Sequence, residues 1–189
     1  VIDDPVGVRR RIGVVPQRAN PDRGLNVLEN LVFHAAYFGI PRAVAVQRAM
    51  MHLEQFGMHE KAHEKVDALS GGQQQRLMIA RALIHEPAVI FLDEPTVGLD
   101  PQARLALWEV LRDLHRQGRT IVMTTHYMEE AELLSDRIAI MDEGRIVKQG
   151  TPDQLIQDLL DKGFKKEVVL KTATLEVVFL DLTGKEIRD

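Results

Sequence analysis

Ala88 to Leu92 is an uninterrupted apolar run of strand length, and it ends abruptly in two carboxylates, Asp93 and Glu94. A strand apolar on every residue is buried on both faces, which points to a parallel sheet in an α/β fold. The segments that follow keep to that pattern. Asp100-Pro101 caps and begins a helix to about Gln117, with Gly118 behind it; Thr120 to Thr125 reads as the next strand, Met128 to Ser135 as a helix and Arg137 to Met141 as another strand. Glu143-Gly144 turns the chain into Arg145 to Lys148, an antiparallel edge hairpin. Parallel α/β sheets bind ligands beyond the carboxyl ends of their strands. Asp93, Glu94 and His126 all fall there.

Upstream the pattern is helical. Arg11 to Pro16 is a short β-rich run (Ile12, Val14, Val15) leading into a loop at Gln17. Asn26, with Glu29 three residues on, predicts a capped helix to Phe38; a second follows Pro41 with Val46, Met50, Leu53 and Phe56 on one face; Ser70 caps a third, reaching Ile84. Residues 18–86 are therefore expected as a helical subdomain inserted into a sheet domain of residues 1–150. From Thr151 a capped helix (Leu155, Ile156, Leu159, Leu160), a strand over 167–170 and a last helix with Leu175, Val178, Phe179 and Leu182 on one face predict a small α+β extension, 151–189.

Composition narrows the classes. A formal charge of −4 gives no electrostatic case for nucleic acid as the main partner, and zero cysteines exclude disulfides and thiolate metal sites. No apolar run is long enough to cross a bilayer, and Val-Ile-Asp-Asp-Pro at the start is no signal peptide. The first residue is not Met, so the sequence is expected to be a fragment.

Two stretches carry the chemistry. Ser70-Gly71-Gly72 at a helix start reads either as an N-capped helix with a flexible entry or as an anion site, where the N–H groups of the first turn point outward and the helix dipole favours negative charge. Asp93-Glu94 puts two adjacent acids at the end of a buried strand, where they call for a cation or a reaction. Phosphoryl transfer needs one carboxylate for Mg²⁺ and another group for the attacking water. Asp100 is a plain N-cap with Pro101 at the first helical position. By residue type alone, Gln17, His126 and the other histidines (His34, His52, His59, His63, His85, His115) read as surface groups.

Read in full, Leu-Ser-Gly-Gly-Gln-Gln-Gln-Arg (69–76) resembles the signature motif of ATP-binding cassette (ABC) ATPases, and Asp-Glu-Pro-Thr-Val-Gly-Leu-Asp (93–100) resembles their Walker B strand end and D-loop. The order and the helix-sized interval between them fit as well. The resemblance implies a P-loop NTPase-like fold with ATP and Mg²⁺ as cofactors. It gives Asp93 the metal, with Gln17 of the Q-loop sensing metal and water. Glu94 becomes the general base and His126 the switch histidine at the γ-phosphate. Ser70, Gly71, Gly72 and Gln73 would close over ATP held by a partner subunit, and Asp100 would belong to the D-loop that crosses the dimer interface. Thr-Thr-His-Tyr-Met-Glu-Glu-Ala-Glu (124–132), Asp-Arg-Ile-Ala-Ile-Met (136–141) and the tail 175–185 look like the ABC-2 exporter branch, which includes drug-resistance and nodulation-factor export ATPases. Gly-x-x-x-x-Gly-Lys-Ser/Thr, the Walker A loop of that family, occurs nowhere in the sequence; around Gly184-Lys185, Phe179 and Glu186 replace the required residues. The expectation is an incomplete, N-terminally truncated ATPase subunit, a homodimer or paired with another ABC ATPase, peripheral on the cytoplasmic membrane face beside a separate permease. Its rivals are a non-catalytic remnant acting as a regulatory half-site and a non-transport ABC ATPase.

Overall fold

The computed structural model describes residues 3–161, which fall into two compact units dividing after Thr124. In the first unit, helix α1 (Pro5–Arg11) leads directly into strand β1 (Ile12–Val15). Sequence reading gives no expectation of α1, although Asp4 caps it by accepting from Gly7 N–H at 2.8 Å and Pro5 opens it. Helices α2 (Val27–Ala36), α3 (Arg42–Gln55) and α4 (Gly71–Leu83) follow, with two short 3₁₀ turns at His59–Lys61 and Val66–Ala68. Strand β2 (Val89–Asp93), helix α5 (Pro101–Arg116) and strand β3 (Thr120–Thr124) complete the unit.

The expected parallel sheet is present: β1 pairs with β2 and β2 with β3, all parallel. One face is buried by Val15, Ile90 and Leu92. Along the other face Val14, Phe91 and Val122 lie in register across all three strands, and they are 56%, 40% and 45% exposed.

Three helix starts form as their sequences predict. Asn26 and Glu29 exchange side-chain and backbone bonds of 2.8 Å, Ser70 and Gln73 do the same at 3.3 and 2.9 Å, and Asp100 accepts from Ala103 N–H at 2.9 Å. The inner face of α3 matches the one expected at Leu53 and Phe56 and differs in its first half. Ala45, Ala49, His52, Leu53 and Phe56 are buried, while Val46 and Met50 lie at the rim. Ala45 and Ala49, small and fully buried, take the central positions of α3, which packs against α2. His52 is accordingly no surface residue: it is 7% exposed and stacks near Phe56, with ring centroids 6.1 Å apart.

The second unit holds helix α6 (Met128–Leu134), the hairpin of β4 (Ile138–Asp142) and β5 (Arg145–Gly150), and helix α7 (Pro152–Asp161). The hairpin is antiparallel as expected, with a register shift between Ile140 and Met141. Thr151 caps α7 by accepting from Gln154 N–H, and Lys148 pairs with Asp158. The strand at 167–170, the final helix and the tail over 175–185 lie outside the described residues.

Candidate functional site

Three parallel neighbours in register end at the same edge of the sheet, so the residues that follow them are brought together. Past β1 come Pro16 and the exposed Gln17; β2 ends in the exposed Asp93, followed by Glu94; β3 ends in Thr124. Asp93 and Thr124 are direct partners across the β2–β3 pair, and the Thr124 hydroxyl donates to Asp93 Oδ1 at 2.5 Å. Glu94 leaves the strand with φ 47°, in the left-handed region. Its N–H donates to the Thr124 carbonyl at 3.0 Å and to the Thr124 hydroxyl at 3.2 Å. Pro95 and Thr96 are buried behind it, and a tight turn closed by Val97 N–H on Glu94 O and Leu99 N–H on Thr96 O carries the chain to Asp100. Sequence reasoning missed Thr124. The sequence reading ran that strand on to Thr125, so nothing local marked Thr124 as its end.

The first turn of α4 lies beside the start of α5. Ser70 and Gly71 are exposed, and the capping box occupies the N–H groups of Ser70 and Gln73. Those of Gly71 and Gly72 have no intrahelical acceptor. The two glycines differ in purpose. A Cβ on Gly71 would meet only Leu99 Cδ2, at 4.0 Å, whereas one on Gly72 would stand 2.9 Å from Ala103 Cβ. Gly72 is buried, so its bareness serves the packing of α4 on α5, and of the pair only Gly71 leaves backbone open to an anion.

The body of α4 grips the loop that follows Gln17. Arg81 donates to Asn20 O at 3.1 Å and to Asn20 Oδ1 at 2.6 Å, across sixty-one residues. The same loop is knotted by buried Asn30, which donates to Asp22 O and accepts from Asp22 N–H. Beside this clamp, His85 stacks on Phe38 with centroids 3.8 Å apart, its Nε2 lies 2.9 Å from Ile12 O, and His34 meets Phe38 edge-on. His34 and His85 are thus half-buried, where surface positions were expected. Burial, with the nearby charges of Arg81 and His85, lowers the His34 pKa to about 4, and burial lowers that of His85.

His126 belongs to the second unit, where it is exposed with its ring 4.3 Å from that of Tyr127. Gln17, Ser70–Gln73, Asp93, Glu94 and Asp100 all belong to the first. No helix among the described residues is long and apolar enough to cross a membrane.

The sequence profile described as "ABC transporter" matches residues 3–97. A Nod factor export ATP-binding protein I of Ralstonia nicotianae is 50% identical over 148 residues, covering 78% of this chain and 46% of that protein. The protein of that name from Burkholderia orbicola is 49% identical over 149 residues, 79% of this chain and 49% of its own. The chain spans about half the length of these curated relatives. Among solved structures, cbiO1 from Clostridium perfringens, part of the ABC transporter complex cbiONQ, matches with a TM-score of 0.72 at 30% identity, over 82% of this chain and 63% of that one.

Proposed function

The chain belongs to the ABC transporter family, and on that premise we propose that it is the ATP-hydrolysing subunit of an ABC-2 type exporter. One observation carries the reading. Two adjacent carboxylates stand at the carboxyl edge of a parallel sheet, one fixed by a strand-end hydroxyl and the other turned out of the strand at positive φ. Asp93 with water and phosphate oxygens is a donor set suited to Mg²⁺, which takes few protein ligands. When bound, that ion neutralises charge on the β- and γ-phosphates. Glu94 accepts the proton of the attacking water, and Gln17, two residues past β1 on the same edge, orients that water.

Ser70, Gly71 and the capped turn through Gln73 close on the γ-phosphate of ATP held by a second subunit, a copy of this chain or a paired ATPase. Gly72 sets the seat of that turn on α5, Asp100 caps α5 at the dimer interface, and His126 supplies the contact that distinguishes ATP from ADP. The exposed Phe33 of α2 and Tyr37 at its C-cap, downstream of Gln17, face a separate membrane-spanning permease, which keeps the protein on the cytoplasmic face of the membrane. Such a chain powers export of a cargo like that in the names of its relatives, the Nod factor exporters.

The test is Glu94→Gln in the full-length protein co-expressed with its membrane subunit. Gln keeps the shape but removes the proton acceptor, so hydrolysis should fall by roughly 10²–10⁴-fold with ATP binding intact. A dimer should accumulate with ATP, and the protein should co-purify with the permease. Hydrolysis within a few-fold of the parent would refute the role of Glu94, and purification free of any membrane subunit would refute the exporter reading.

A further inference from the structure

We infer that Thr124 is a positioning residue for both carboxylates, setting which oxygen of Asp93 is offered to the metal and holding Glu94 out of the strand. The inference rests on the metal role proposed for Asp93. A hydroxyl has one proton, and here its use is settled by its neighbours. Glu94 N–H, a donor, points at Thr124 Oγ1 at 3.2 Å, so the oxygen accepts there. Its own proton therefore goes to Asp93 Oδ1, 2.5 Å away, in a charge-assisted bond.

The consequences are directional. With Oδ1 engaged along the β2–β3 pair, the Asp93 carboxylate loses rotation about its terminal torsion, and Oδ2 is the oxygen left to a cation. Glu94, at φ 47°, is held by two bonds from one N–H, both ending on Thr124. The register explains why one side chain can do both. Asp93 and Thr124 are the last partners of a parallel pair, so their side chains leave the sheet on the same face. Removing a group that orients a metal ligand in this way typically costs about 10–100-fold in metal affinity.

The bond is exposed, so its loss should cost little in folding, and that separates positioning from a merely structural part. The experiment measures Mn²⁺ binding by electron paramagnetic resonance, with a non-hydrolysable ATP analogue, in the full-length protein. Thr124→Val, which keeps the shape without the hydroxyl, should weaken Mn²⁺ binding about tenfold or more, whereas Thr124→Ser, which keeps the hydroxyl, should stay within about threefold of the parent. Urea midpoints of both should match the parent; if Val does not fold, Thr124→Ala replaces it in the comparison with Ser. Asp93→Asn is the reference arm. Should Asp93→Asn abolish Mn²⁺ binding while Thr124→Val binds like the parent, or Thr124→Ser bind no better than Thr124→Val, the inference on Thr124 is overturned and the role of Asp93 stands. Should Asp93→Asn bind Mn²⁺ like the parent, the metal assignment itself fails, and the inference with it.

Discussion

Glu94 and His34 both sit in surroundings that an isolated residue of their type would avoid, for different reasons. The left-handed backbone of Glu94 costs of order 1 kcal/mol, offset by two hydrogen bonds to Thr124, and it turns the chain out of the strand. His34 is held neutral: burial first, then Arg81 and His85, bring its pKa to about 4, below the unfolded value of 6.5. Between those values the unfolded chain binds a proton that the fold refuses, so stability is complete above pH 6.5 and lost as pH falls toward 4. The urea midpoint should therefore drop between pH 7 and pH 5. His34→Phe, which keeps an aromatic edge against Phe38 without a titrating group, should flatten that drop, the remainder belonging to His85 and His52, whose pKa values are also lowered by burial. A variant whose midpoint falls as steeply as the parent's would sink this account.

Between elements, the contact of α4 with α5 turns on Gly72. Gly72→Ala would place two methyl carbons 2.9 Å apart, so α4 must shift off α5 at a cost of about 1–3 kcal/mol. Ala103→Gly gives the room back, and although glycine inside a helix costs about 1 kcal/mol by itself, the double variant should be more stable than the sum of the singles predicts. Additive urea free energies would show that the two residues do not touch. This contact also marks how far the sequence could be read. Caps at Asn26, Ser70 and Asp100 were legible because a cap is decided within four residues. The order of strands and helices was legible from apolar runs, and two motifs singled out the candidate residues at the start of α4 and the end of β2. The buried face of α3, the burial of His52, the neighbour of Gly72, the Arg81–Asn20 clamp and the hydroxyl of Thr124 were not. Each depends on a partner far along the chain, thirty-one residues away for Thr124 and Asp93, and local pattern holds no record of it.

At the scale of the whole molecule, the row Val14–Phe91–Val122 leaves an apolar sheet face in contact with water, where parallel sheets are covered on both faces. These 189 residues also contain no Gly-x-x-x-x-Gly-Lys-Ser/Thr nest for the β- and γ-phosphates. Prepared by itself, the 189-residue chain should scatter light through self-association and show no ATP turnover; a monodisperse preparation that hydrolyses ATP unaided would mean that its phosphates are held by residues other than those named. Arg81 gives the molecule a different property. The cap Ser70 and Arg81 belong to one helix, so the turn proposed to meet an anion and the guanidinium that grips Asn20 are joined by a stiff rod roughly 15 Å long. Were an anion to draw the first turn of α4, the strap that Arg81 holds behind Gln17 would move with the helix.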